Sequence, residues 1–187
     1  MEEYFDVLDS NGNKTGKVKL RKEVHRDGDW HKGAHIWLIN EKGEILLQKR
    51  SAKKESHPNM LSISCAGHLS AGDDSITGAL REIKEELGLI INPKDLKFIK
   101  TIKTPAKNSL GFVNNEFNDM YILKTSLPLS AMHFDEEEVS GLYFVTYKDF
   151  KDMVATNSKE LVRFEEEFNI LFALFDNEFS ATTQTEK

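Results

Sequence analysis

Three carboxylates, Glu82, Glu85 and Glu86, recur at three- and four-residue intervals within GHLSAGDDSITGALREIKEELGL, residues Gly67–Leu89. On a helix, side chains at that spacing are neighbours. With Glu82 at zero, Glu85 falls at about −60° and Glu86 at about +40°, one narrow arc. Glu82 and Glu86, four apart, repel by roughly 0.2–0.5 kcal/mol. No cation is expected among them: Lys84 projects elsewhere, and Arg81 reaches Glu85 only along one edge. Gly78, one turn earlier, shares the arc and is expected to leave room above it. A cation from outside the chain would turn this repulsion into coordination. A hard divalent ion such as Mg²⁺ suits the task, because it favours oxygen ligands and keeps several waters.

The helix that must carry these groups is predicted over Ser75–Leu87, with Gly88 ending it. Ile76, Ala79, Leu80, Ile83 and Leu87 fill a separate arc, about +60° to +160°, that would pack on a sheet. A short β-type run, Leu61–Ala66, delivers the chain to the start of the acidic segment. YFDVLD reads as a strand entering a turn at Asn-Gly, and HIWLIN and EILLQKR read as a hairpin about EKG. LKFIKTIKT, FNDMYILKTS and GLYFVTY are further strands, while KDFKDMVAT and LVRFEEEFNILFALFDNEF carry helix-period apolar residues. Strands and helices are mixed, so the fold class is α/β or α+β.

The chain has 187 residues, with 39% hydrophobic and 30% charged. That length suits a single domain with a sizeable core, taken here as residues 1–180, with 181–187 a polar, disordered tail. The formal charge of −6 argues against nucleic-acid or anionic-membrane binding, leaving room for a local basic pocket. One cysteine, Cys65, excludes an internal disulfide framework. The acidic start MEEYFDVLDS lacks a signal-peptide layout, and no run is long enough to span a bilayer. A cytoplasmic protein is expected. Apolar residues in the C-terminal helix leave a homodimer open.

The stretch resembles the Nudix box: Gly, five residues, Glu, seven residues, then Arg-Glu-aliphatic-x-Glu-Glu-x-Gly-aliphatic. Gly67, Arg81, Glu82, Ile83, Glu85, Glu86, Gly88 and Leu89 match it, and Asp73 stands where the family has Glu. The resemblance implies an α/β/α sandwich with a mixed central sheet. It implies a cassette binding Mg²⁺ or Mn²⁺ through Glu82, Glu85 and Glu86, and hydrolysis of a diphosphate linked to a moiety X, often a nucleoside. Glu82 or Glu86 would take the proton of the attacking water. Gly67, Asp73, Arg81 and Gly88 would be structural, with Arg81 bracing the loop against a carboxylate.

VHRDGDWHKGAHIWL and CAGHL resemble type I isopentenyl diphosphate isomerase, a Nudix-fold enzyme with a second metal site of three histidines and two glutamates. His25, His31 and His68 take the corresponding places, Glu116 matches one glutamate, and Asn114 replaces the other. Such a set suits Mn²⁺ or Zn²⁺. Arg50 and Lys53, in LLQKRSAKKESHPNM, resemble the isomerase's diphosphate-binding residues. The isomerase needs a thiol just before the box glycine, where this chain has Ala66. Cys65 sits one position earlier, and on a strand that offset turns it to the opposite face, away from the site. The chain therefore resembles more closely a hydrolase group that keeps the VHRDGxWH opening and the full box but not the thiol. The leading expectation is a metal-dependent diphosphate hydrolase acting on a nucleoside diphosphate-X or similar compound. The isomerase is the alternative, and a non-catalytic diphosphate-binding module a third reading. Trp30, Trp37, Phe112, Phe117 and Tyr121 could stack on a base, although aromatic residues near strands are more often core.

Overall fold

The computed structural model describes residues 2–54, 56–105 and 113–184, with side chains as far as Asn177. Phe112 lies outside the described residues.

A mixed sheet of seven strands divides two helical layers. At its centre β3 (His31–Asn40) runs parallel to β8 (Glu116–Thr125), in register from His31↔Glu116 to Asn40↔Thr125. The antiparallel edge strand β7 (Leu96–Thr104) covers the outer side of β8. On its other side, β3 turns at Glu41–Gly43 into β4 (Ile45–Arg50), yet the two pair only at Ile39↔Ile45. They then diverge. The short strands β5 (Leu61–Ser62) and β6 (Cys65–His68) fill the gap, β5 on β4 and β6 on β3. β9 (Val139–Val145) lines the far side of β4.

Ser64 holds the point of divergence. Its buried hydroxyl accepts from Leu38 N–H at 2.8 Å and donates to Leu46 C=O at 2.6 Å. Two strands too far apart to bond each other are thereby kept satisfied, which matters because an unpaired buried backbone group costs roughly 1–3 kcal/mol.

Alternation along β3 assigns the two faces. Ala34, Ile36 and Leu38 join Leu46, Tyr121 and Leu123 beneath α2 (Ser75–Leu87), which contributes Ala79, Ile83 and Leu87. Trp37 and Ile39 join Ile45, Leu47, Met120 and Ile122 on the opposite face, beneath α3 (Tyr147–Ala155) and α4 (Glu165–Gln184). The result is the expected α/β/α sandwich.

α2 spans the predicted residues. Asp74 caps its start by accepting from Thr77 N–H at 2.8 Å, and Gly88 ends it at φ +67°. α4 starts later than its apolar period suggests. Leu161 and Val162 instead extend beside Leu61, whose C=O accepts from Val162 N–H at 2.8 Å. Two elements were not read from sequence: β2 (Lys14–Leu20), antiparallel to β1 (Tyr4–Leu8), and the short helix α1 (Arg21–Asp27). Phe5, Val7 and Val24 form the small core that joins them.

Candidate active site and histidine centre

α2 lies against β6, and the closeness of that contact depends on a missing side chain. A Cβ on Gly67 would fall 2.0 Å from the Glu82 carboxyl carbon, so only glycine lets the carboxylate rest on the strand. Glu86, one turn on, accepts from Ala66 N–H at 3.1 Å and from Gln48 Nε2 at 3.3 Å. Glu85 is exposed.

Arg81 corrects one expectation. Its Nη1 donates to Glu82 at 2.7 Å and to Glu85 at 3.1 Å, so a cation does interleave. The same guanidinium donates from Nη2 to His68 C=O at 2.8 Å, and Nε lies 3.7 Å from Asp73. Arg81 thus links the His68 carbonyl on β6 to the two glutamates of α2, with Asp73 at its margin. Gly78 is also corrected. The space beside it is taken by Leu69, 2.8 Å from where a Cβ would sit.

One guanidinium does not balance three carboxylates. Burial pushes the Glu82 carboxyl up to about 7, against the pull of Arg81 and with added repulsion from Glu86 and Glu85. Burial likewise raises Glu86, against hydrogen bonds from Ala66, Cys65 and Gln48. Two carboxylates disfavoured in their charged form, one of them resting on Gly67, fit a hard dication that takes oxygen ligands.

Cys65 is corrected in part. It turns away from Ala66, as the offset dictates, but its face is that of α2 and the acidic cluster. The thiol is fully buried and hydrogen-bonded to Glu86; burial and that carboxylate push its pKa well up. Nothing there activates it as a nucleophile.

The histidines do converge. The ligand atoms of His25 on α1, His31 on β3 and His68 on β6 lie within 4.8 Å of one another. Phe5 stacks on His31 and on His68, at 5.3 and 5.0 Å between ring centroids. Glu116, opposite His31 in the β3–β8 register, lies 2.9 Å from His68 Nε2 and 3.7 Å from His31 Nε2. The segment before β8 is tied down by Val113 N–H to His25 C=O and Asn115 Nδ2 to Gly28 C=O. This brings the Asn114 side chain beside His31. Burial first, then the neighbouring imidazoles, lower His25 and His31 to about 4, which keeps their lone pairs available at neutral pH. Burial opposes charge on Glu116, yet the His68 hydrogen bond and nearby imidazoles hold it well below the usual carboxylate range. Neutral imidazoles around one anion suit a borderline metal such as Mn²⁺ or Zn²⁺.

Arg50 ends β4, where Nε and Nη2 bond the C=O and Oγ of Ser56. Lys53 follows on the adjoining loop and pairs with Glu137. Among the aromatic residues considered for stacking, Trp37, Tyr121 and Phe117 are buried, and Trp30 is half-buried beneath Lys103. The contact between His35 on β3 and Glu167 on α4 had no signal in the sequence.

Residues 29–164 match the NUDIX domain. Nudix hydrolase 3 of Arabidopsis thaliana is 42% identical over 88% of this chain, which spans only 22% of that protein's length. An isopentenyl-diphosphate Delta-isomerase of Streptomyces griseus is 32% identical over 76% of this chain and 70% of its own length. A crystal structure of a Deinococcus radiodurans protein superposes with a TM-score of 0.66, covering 91% of this chain and 98% of that one at 20% identity.

Proposed function

The chain belongs to the Nudix family, and we propose that within it the protein is a metal-dependent hydrolase that cleaves the diphosphate linkage of a nucleoside diphosphate-X or similar small compound. It is an enzyme of the hydrolase type. The observation that carries the substrate class is the Glu82–Glu86 pair, both raised in pKa, with the buried Glu82 seated on Gly67.

Glu82, Glu85 and Glu86 would hold Mg²⁺ or Mn²⁺. Such an ion supplies charge to phosphoryl oxygens and a bound water of lowered pKa. Glu82, with a pKa of about 7, is suited to exchange a proton with water near neutral pH. Glu86 is the other candidate base, fixed by Ala66 and Gln48. Arg81 sets the direction of Glu82 and the loop. Arg50 has its Nε and Nη2 anchored, leaving Nη1 to meet an oxyanion, while Lys53 would exchange Glu137 for phosphate.

Glu86→Gln is expected to lower kcat by about 10²–10⁴ while leaving the thermal transition in place. The measurement is phosphate or monophosphate release from a panel of nucleotide, sugar and prenyl diphosphates with Mg²⁺. Undiminished turnover in the variant refutes the mechanism.

Isopentenyl diphosphate isomerisation is the second reading, favoured by the convergence of His25, His31, His68 and Glu116. Ala66 in place of the thiol and the inward-facing Cys65 weigh against it. On the same panel it predicts a double-bond shift without phosphate release.

A further inference from the structure

His35 and Glu167 stand 132 residues apart in the chain, yet His35 Nδ1 lies 2.6 Å from Glu167 Oε1. The second carboxylate oxygen accepts from Trp37 Nε1 at 2.7 Å. His35 is 8% exposed and Glu167 3%. Both oxygens of Glu167 are therefore engaged, and the imidazole is fixed with Nδ1 toward α4. Phe164 meets the ring edge-on at 5.1 Å between centroids.

Nε2, on the other side of the ring, is free. Among the described residues it has no protein partner and is not enclosed, unlike the shielded Nε2 atoms of His31 and His68. A buried ion pair is weak evidence of stabilisation, since desolvation can exceed the Coulomb gain. A face already furnished with Trp37, Phe164 and Phe168 has no packing need for one.

Position supplies the reason. His35 is paired across the sheet with Ala66, whose N–H goes to Glu86 rather than to β3. Such a non-hydrogen-bonded pair brings its two side chains close together. β6 is one strand wide, about 4.8 Å between neighbours; Glu86 reaches its outer edge from the α2 side, while His35 adjoins its inner edge on the face that Ala66 shares. Between them on the sheet floor lie Ala66 and, toward the histidine centre, Gly33 beside Asn118. The floor is low where a ligand at the acidic helix would extend. Burial works against charge on His35, but Glu167, with Glu116 and Glu86 farther off, outweighs it and raises its pKa. Charge on the ring would put a second proton on Nε2 while Nδ1–H stays on Glu167.

Resting on the diphosphate-hydrolase reading above, we propose that His35 contacts substrate: its Nε2–H donates to a diphosphate oxygen lying over Ala66, with Glu167 and Trp37 as the residues that position the ring. The probe is methylenediphosphonate, a non-hydrolysable diphosphate, titrated with Mg²⁺ into the full chain by calorimetry. His35→Ala is expected to weaken its binding about ten- to a hundredfold. His35→Gln, which keeps an amide donor near the Nε2 position, should restore part of it. In wild type labelled with ¹⁵N-histidine, the His35 Nε2 resonance should move on adding the probe, a signal that needs no variant to fold. Equal affinity in wild type and His35→Ala, or an unmoved His35 resonance when the probe binds, overturns the proposal and leaves the hydrolase reading intact. Failure of wild type to bind the probe overturns both.

Discussion

His31 is fully buried, and its proton affinity sets a stability signature. Its pKa is about 4 in the fold, below the ordinary 6.5. Between those values the unfolded chain binds more protons, so this ring's contribution makes stability rise with pH and is fully present above about 6.5. Glu82 has the opposite sign: with a folded pKa of about 7 against 4.5, it makes stability fall as pH rises through that interval. The two overlap, and a variant separates them. Relative to His31→Gln, metal-free wild type is expected to gain on the order of 2 kcal/mol between pH 4 and 6.5. Urea unfolding with a chelator across that range is the measurement, and parallel pH curves for the two proteins contradict it.

The contact of α2 with β6 depends on Gly67. A methyl there meets the tip of a flexible glutamate rather than backbone, so Gly67→Ala should displace the Glu82 carboxylate more than it unfolds the helix. Expected is a loss of Mg²⁺ affinity of about 10–100-fold, with the melting temperature lowered by only a few degrees. A large drop in melting temperature with unchanged affinity would point to backbone displacement instead. α2 itself was legible because amphipathic period, Asp74 and Gly88 all agree on its limits. α1 was not: in RKEVHRD only Val24 and His25 are buried, too few to leave a period, and their burial depends on Phe5 from β1 and the histidines around it. β2 is mostly exposed, so no alternation marks it. The start of α4 was misplaced because Leu161 and Val162 continue its apolar rhythm while bonding to Leu61 as extended chain. Within the site, residue type and spacing located the carboxylates and histidines. They could not show that Arg81 curls back between two glutamates, nor that Glu167 reaches His35.

Across the whole molecule, the two helical layers grip a sheet that is split on one side, and the acidic helix sits at the split. Among the described residues no helix is long and apolar enough to cross a membrane. An ion held only by the folded form adds stability by mass action, about 2.7 kcal/mol at one hundred times its Kd. Cys65 offers a way to watch that happen. As the only sulfhydryl in the chain, fully enclosed between β6 and α2, it can meet a thiol reagent only when those two elements part. Its alkylation rate is therefore a clock for the opening of this junction. Mg²⁺ should slow the clock in wild type and not in the Glu85→Gln/Glu86→Gln pair; if the ion slows both alike, the acidic helix is not where it binds. The molecule carries its own reporter, placed beneath the carboxylates whose occupancy it would register.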